Sequence, residues 1–156
     1  MKPTSQTKEG KVGGAGIGVK RVLLPVDLSS CTLSFLQQAL VFVRSHDADI
    51  IIMHVHPTGT MDAAVPGAIQ MNSELAEHRL TDLKEALDYP AEKIFLVIET
   101  GVVATHILKC VRMMSVDLVV MGAHMRGTAH KLLIGSATKG VLQKTDVPIL
   151  VIPQKD

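Results

Sequence analysis

The sequence has few aromatic residues and almost no excess of charge of either sign. Aromatic residues make up 3% of the 156 residues, and tryptophan is absent. The formal net charge at pH 7 is +1. Proteins that bind nucleic acids or membrane surfaces usually carry a basic excess, and single-strand binders stack bases on aromatic rings. We therefore expect neither a nucleic-acid partner nor a membrane partner.

Cysteine is also scarce, and long apolar runs are missing. Cys31 and Cys110 are the only cysteines, which is too few for a disulfide framework in a chain of this size. The longest apolar runs have the length of a strand and fall far short of a membrane span. Residues 1–19 contain lysines but lack the apolar stretch of a signal peptide. These features predict a cytoplasmic protein.

The remaining composition suits a single domain behind a short tail. Hydrophobic residues make up 47% of the chain, which is enough for one core at this length. Residues 1–19 are rich in Gly, Lys, Ser and Thr, and we expect a flexible tail there. The glycines of this tail form no phosphate loop, because no Lys-Ser or Lys-Thr pair closes the pattern. Residues 20–156 would then form the domain.

Within that domain, short apolar runs alternate with stretches of helical periodicity. We expect helices to begin at Ser29 or Ser30, at Asn72 or Ser73, after Gly101 and at Gly135, and strands at 21–26, 49–55, 93–99, 116–122 and 147–152. This alternation predicts an α/β fold. It would be a five-stranded, mainly parallel sheet in a doubly wound three-layer sandwich, with strand order 3-2-1-4-5.

Three further segments have local signals of their own. Residues 56–71 contain Pro, Gly and Thr without a clear period and predict a long loop. Residues 123–134 predict a second loop with a short apolar end. Pro148 lacks a ladder N–H, which favours an edge position for the last strand.

Doubly wound sheets bind ligands beyond the carboxyl ends of their strands, at the point where the strand order reverses. Asp27 follows the first predicted strand. Its carboxylate could accept hydrogen bonds from ribose hydroxyls or a base edge, or it could cap the next helix. The sequence leaves both roles open.

The fourth predicted strand is followed by a second candidate region. Gly122 and the Gly135-Ser136 pair would let backbone N–H groups approach an anion, and His124 and Arg126 could add positive charge. A glycine-rich turn with a serine cap would give the same pattern. We favour the anion site.

Three stretches resemble the universal stress protein family. They are RVLLPVDLSS near the start, GVVATHILKC before the fourth strand, and the segment from Asp117 to Ile152, and the similarity covers about residues 20–153. The nucleotide-binding branch of that family has the motif G-x2-G-x9-G-[ST]. Gly122 and Gly135-Ser136 match it without a gap, whereas Met125 replaces the middle glycine.

The resemblance implies an adenine-nucleotide site for ATP, ADP or AMP, with or without magnesium. Asp27 would contact the adenosine, and Val55 would meet the base through its backbone. The implied site residues are Pro25, Val26, Asp27, Val55, Met121, Gly122, His124, Met125, Arg126, Gly127, Gly135, Ser136 and Ala137. The resemblance further implies a homodimer in which strands 147–152 meet across a two-fold axis.

Three functions remain open at this stage. The first is a nucleotide-binding regulator of the stress response, and the second is a dimeric interaction module without nucleotide. In the second, Met125 would close the site. If that position needs a positive φ, a non-glycine residue there costs on the order of 1–2 kcal/mol, and the side chain could also crowd the phosphates. The third is a slow ATPase. The sequence offers no positioned base for it, so we do not expect a dedicated enzyme.

Histidine and cysteine suggest two less favoured alternatives. His54 and His56 share one strand face, but a zinc site needs three or four convergent ligands, so we interpret the pair as pocket-edge or exposed histidines. Cys31 lies near the start of the first predicted helix, where a thiol can become reactive. We interpret it as a small helix-start residue, and Cys110 as helix packing.

Overall fold

The computed structural model describes residues 18–58, 68–126 and 131–155. Strands and helices alternate along these residues, except that two strands follow each other before the last helix. They are β1 (Arg21–Val26), α1 (Thr32–Val43), β2 (Asp49–Pro57), α2 (Ala68–Glu85), β3 (Ile94–Gly101), α3 (Val103–Met113), β4 (Leu118–Arg126), β5 (Lys131–Leu133), α4 (Ser136–Leu142) and β6 (Ile149–Lys155).

Five of the strands run parallel in the order β3-β2-β1-β4-β6. This is the predicted order, and the α/β fold is therefore confirmed. β1 lies between β2 and β4, so the direction of winding reverses there. β6 pairs with β4 and lies at the edge of the described sheet, as Pro148 predicted.

The predicted loop over residues 123–134 is wrong in part. β4 continues to Arg126, and β5 returns antiparallel to it with Met125 opposite Leu132. β6 follows one edge of β4 from Val119 to Met125, while β1 pairs with only Leu118 and Val119 on the other edge. β5 therefore pairs with β4 on the same edge as β1, beyond the residues that pair with β1. A three-residue strand is too short to show a period in the sequence.

Each face of the sheet packs against its own layer of helices. Side chains alternate along β2, so that Ile50 and Ile52 join the cluster beneath α1 and α2, whereas Ile51 and Met53 join the cluster beneath α3. These four side chains are at most 1% exposed. Strands covered on both faces read as continuous apolar runs, which explains the sequence of β2. None of the described helices is long and apolar enough to cross a membrane.

Helix α1 begins later than the sequence predicted. Ser29 and Ser30 do not cap it; Cys31 is the N-cap residue and makes no side-chain cap hydrogen bond. The Ser29 N–H donates to Asp27 Oδ1 at 3.0 Å, and the Thr32 N–H donates to the Ser29 carbonyl at 3.1 Å. An aspartate-stabilised turn therefore precedes the helix and delays its first residue.

Helix α2 begins earlier than predicted, at Ala68 rather than Asn72 or Ser73. Ala68, Gln70 and Met71 are good helix formers and add about one turn. The predicted long loop is therefore shorter than expected. Its central part, residues 59–67, lies outside the described residues.

Most of the predicted tail, residues 1–17, also lies outside the described residues. Val19 packs against the core cluster beneath α1. The backbone N–H groups of Lys20 and Arg21 donate to Asp117 Oδ2 at 2.8 and 2.9 Å. These bonds fasten the start of β1 to the start of β4.

Candidate functional site

A cavity of about 580 Å³ opens at the carboxyl ends of β1, β2 and β4. The first turns of α1, α3 and α4 and one residue of β6 complete its wall. The cavity lies where winding reverses between β1 and β4, which is the position that doubly wound sheets use for ligands. Its volume is within the range of pockets that hold small organic ligands.

The structure brings most of the predicted site residues to this one cavity. Nine of the thirteen line it: Pro25, Val26, Asp27, Val55, Met121, Gly122, Gly135, Ser136 and Ala137. His124, Met125 and Arg126 are the last residues of β4. Gly127 lies outside the described residues.

Asp27 has a local structural role and also lines the cavity. Its Oδ1 accepts the Ser29 N–H at 3.0 Å and the Thr32 hydroxyl at 3.4 Å. These bonds hold the carboxylate at the turn between β1 and α1. The two roles left open by the sequence are thus compatible, because the residue that shapes the turn also faces the space a ligand would fill.

The two motif glycines, Gly122 and Gly135, differ in the space available for a Cβ atom. A Cβ on Gly122 would lie 3.5 Å from both Gln154 Cγ and Phe35 Cδ2, which is ordinary contact. A Cβ on Gly135 would have no heavy atom of the described residues within 4 Å. Gly135 has φ −65° and ψ 163°, an extended conformation open to any residue. The backbone does not require glycine there, and its absent side chain leaves space in the cavity.

Met125 occupies ordinary strand backbone. It pairs with Leu132 of β5 and with Lys155 of β6. Within residues 18–58, 68–126 and 131–155, left-handed φ values at non-glycine residues occur at Leu28, Asp47 and Ser115. The backbone penalty considered for Met125 therefore does not arise in this structure.

The buried polar side chains of the described residues converge on the cavity. Thr32, His54, Thr138 and Gln154 are between 3% and 8% exposed, and all four line it. A buried polar group is destabilising unless it is hydrogen-bonded. Their concentration at one place marks the cavity as a polar site within an apolar fold.

Sequence reasoning missed three of these four residues. Thr32 and Thr138 are polar positions in helices, where nothing distinguishes them from a solvated face. Gln154 could have been found by continuing the two-residue period from Leu150 and Ile152, but the predicted strand ended at Ile152. The structural β6 extends to Lys155.

His54 lines the cavity as a neutral imidazole held in one orientation. Its Nδ1 donates to the Val26 carbonyl at 2.9 Å, which leaves a lone pair on Nε2. Burial lowers the pKa of His54, and the hydrogen bond to Val26 opposes this only in part. His56 meets the His54 ring edge-on, with ring centroids 4.6 Å apart. In the described part of the chain, no cluster of three or more His, Cys, Asp or Glu residues is suited to a metal ion.

The two cysteines are free thiols in different surroundings. Cys31 is partly exposed and lines the cavity, whereas Cys110 is buried in α3. Burial raises the pKa of the Cys110 thiol, and the nearby Glu99 adds to this effect. Cys31 is therefore the thiol that a reagent entering the cavity would meet.

Comparisons with known proteins agree with this fold. The model of the universal stress protein family matches residues 18–153. The chain belongs to the universal stress protein family. Among curated members, universal stress protein A homolog from Haemophilus influenzae is 31% identical over 144 residues, covering 88% of this chain and 98% of the relative. A universal stress protein from Methanocaldococcus jannaschii is 23% identical, covering 88% of this chain and 96% of the relative.

Solved structures of universal stress proteins share the fold. The solved structure of that Methanocaldococcus protein superposes with a TM-score of 0.67 at 22% identity, covering 90% of this chain and 99% of the other. A universal stress protein solved in complex with cAMP superposes with a TM-score of 0.60 at 19% identity, covering 87% of this chain and 98% of the other.

Proposed function

We propose that this universal stress protein is a regulator that binds an adenine nucleotide, ATP, ADP or AMP, in the cavity between β1 and β4. The observation that carries the proposal is the convergence of nine residues implied by the family resemblance on one open cavity. We further propose that it acts in the cytoplasm, which is in keeping with two cysteines that remain thiols.

The cavity offers different chemistry at its two ends. Pro25, Val26 and Val55 supply apolar surface at β1 and β2, which suits a purine ring. Gly122 and the Gly135-Ser136 pair supply backbone amides and a hydroxyl on the far side, beside β4 and α4. A nucleotide would place its base at the first end and its phosphates at the second.

A relative supports a nucleotide of this class. The universal stress protein of matching fold that was solved with cAMP is a protein in complex with an adenine nucleotide. In this chain, Met125 adopts strand backbone without a left-handed φ, so the motif departure adds no backbone strain at that position.

Calorimetric titration of the nucleotide-free protein tests the proposal. We expect ATP, ADP or AMP to bind at micromolar concentration and GTP to bind more weakly. Gly135→Ala is the informative variant, because its methyl group contacts no atom in the part of the chain that the structure describes and would instead occupy ligand space. It should keep the stability of the wild type and weaken nucleotide binding about tenfold, as an overpacked contact does. Absence of heat with all three adenine nucleotides at millimolar concentration would contradict the proposal.

We also propose that the protein is a homodimer joined through β6. β6 bonds to β4 along one edge, and Ile149, Leu150, Val151 and Ile152 are only half-buried. An apolar edge strand of this kind is a ready surface for pairing with a second copy. Sedimentation should give a dimer for the wild type and a monomer for Val151→Arg, with the helical content unchanged. A wild-type monomer at micromolar concentration would contradict the assembly.

A further inference from the structure

Gln154 lies outside the sequence motif, and its buried side chain lines one end of the cavity. It lies on β6 opposite His124 of β4 and is 3% exposed. Its Cγ would lie 3.5 Å from a Cβ on Gly122, so the side chain extends across the motif glycine. It lines the same cavity as Gly122 and Ser136.

The amide of Gln154 makes only weak hydrogen bonds with the protein. Its Nε2 donates to the carbonyls of Ile152 and Pro153 at 3.4 and 3.3 Å, both longer than the usual N–H···O distance. Its Oε1 accepts no hydrogen bond from the described residues. A side chain this buried is ordinarily better satisfied, and the cavity that it lines is where a stronger partner would lie.

The strand order indicates which end of a bound nucleotide would lie near Gln154. Along the sheet, β2 and β1 precede β4, and β6 comes last. The apolar end of the cavity, with Val26 and Val55, is on β1 and β2, so Gln154 lies at the opposite end, beyond Gly122. The side chain thus lies beside Gly122, which belongs to the proposed phosphate end, with β1 and β4 separating β6 from β2.

We propose that Gln154 is a binding residue that donates its amide hydrogens to a phosphate group of the nucleotide. The inference rests on the proposed adenine-nucleotide function and adds a contact from the edge strand. On binding, Nε2 would exchange two long backbone bonds for a charge-assisted bond, which is the stronger kind. Its amide is neutral, so it would hold the phosphate without adding a charge to the site.

The test compares adenosine with AMP, since the two ligands differ only in the phosphate group. Gln154→Met keeps the length of the side chain and removes its hydrogen bonds. Gln154→Glu keeps the shape and places a carboxylate beside the phosphate. Gln38→Glu is the matched control for charge, because Gln38 is exposed on α1 and outside the cavity lining. The thermal midpoint of each variant establishes that it folds, and Gln154→Asn replaces any variant that does not.

We expect Gln154→Met to weaken AMP binding about tenfold and to leave adenosine binding unchanged within about twofold. Gln154→Glu should weaken AMP further, again sparing adenosine, whereas Gln38→Glu should match the wild type. Equal losses for adenosine and AMP, or unchanged AMP binding in Gln154→Met, would overturn the phosphate contact while leaving the nucleotide function intact. A wild type that binds neither ligand would overturn both proposals.

Discussion

The alkylation of Cys31 can report on whether the cavity is occupied, and Cys110 serves as an internal control. Cys31 lines the cavity and is partly exposed, whereas Cys110 is buried and burial raises the pKa of its thiol. Iodoacetamide at mildly alkaline pH should therefore alkylate Cys31 and spare Cys110 in the folded protein. Saturating nucleotide should slow the reaction of Cys31, as measured by peptide mass spectrometry.

Two controls separate protection by the ligand from a change in folding. Cys110 should remain unreactive with and without nucleotide, and it should react in denaturant. Cys31→Ser should abolish labelling of the native protein. Alkylation of Cys31 at the same rate in the presence of saturating nucleotide would place the ligand elsewhere.

His54 makes stability depend on pH. Burial lowers its folded-state pKa below the ordinary value of 6.5, with smaller contributions from His56 and Arg79 in the same direction and from Val26 and Asp27 in the opposite one. The unfolded state then binds more protons than the folded state as the pH falls below that value. The free energy of unfolding should decrease on acidification.

The contribution of His54 can be isolated by substitution. His54→Gln can still donate to the Val26 carbonyl but does not titrate. Urea unfolding between about pH 7.5 and pH 5 should show a shallower decline for this variant than for the wild type. Equal slopes for the two proteins would show that His54 is not the source of the dependence.

The site residues that could be predicted from the sequence lie near strand ends, whereas those that were missed reach the cavity through tertiary packing. Asp27 and the Gly135-Ser136 pair follow strand ends, where parallel sheets bind ligands, and the fold brings them together as expected. Thr138 and Gln154 become part of the cavity only through packing between elements distant in sequence. No local pattern distinguishes Thr138 from an exposed helical residue, whereas Gln154 continues the two-residue period of β6 beyond the predicted end at Ile152.

At the scale of elements, α3 and α4 approach closely at one pair of small residues. A Cβ on Gly140 would lie 2.9 Å from the Cβ of Ala104, a distance that forces the helices to shift. Gly140→Ala should therefore destabilise the protein by about 1–3 kcal/mol, despite the better helix propensity of alanine. Chemical denaturation measures this change.

A double-mutant cycle shows whether this contact is the cause. Ala104→Gly removes the opposing methyl group, so the loss caused by Gly140→Ala should shrink by more than about 1 kcal/mol in the Ala104→Gly background. Additive effects would contradict a steric origin. Because α4 carries Ser136 and Thr138 to the cavity, this packing also sets the position of the proposed phosphate end.

Element boundaries were predictable where the hydrophobic pattern was long and unpredictable where it was short. β2 is a run of buried residues that begins at Asp49 as predicted and ends two residues later than predicted, at Pro57, whereas β5 has three residues and depends on pairing with the end of β4. α1 begins late because Asp27 stabilises a turn that helical periodicity cannot reveal. Local chemistry thus displaces boundaries without altering the order of the elements.

At the scale of the whole molecule, alternating strands and helices determine where the site lies. Consecutive crossovers place β1 at the centre, β3 at one edge and β6 at the other edge of the described sheet. The reversal between β1 and β4 leaves the cavity open at their carboxyl ends. This architecture could be predicted from strand alternation, because right-handed crossovers allow few alternatives.

The central claim is that an adenine nucleotide occupies this cavity, and a titration of ¹⁵N-labelled protein with ADP followed by NMR tests it most directly. We expect saturable shifts of the backbone amides of Val26, Val55, Gly122, Gly135 and Ser136, and none at the distant, exposed Val41 and Met113. Spectra unchanged at millimolar ADP, or shifts confined to residues outside the cavity, would contradict the account.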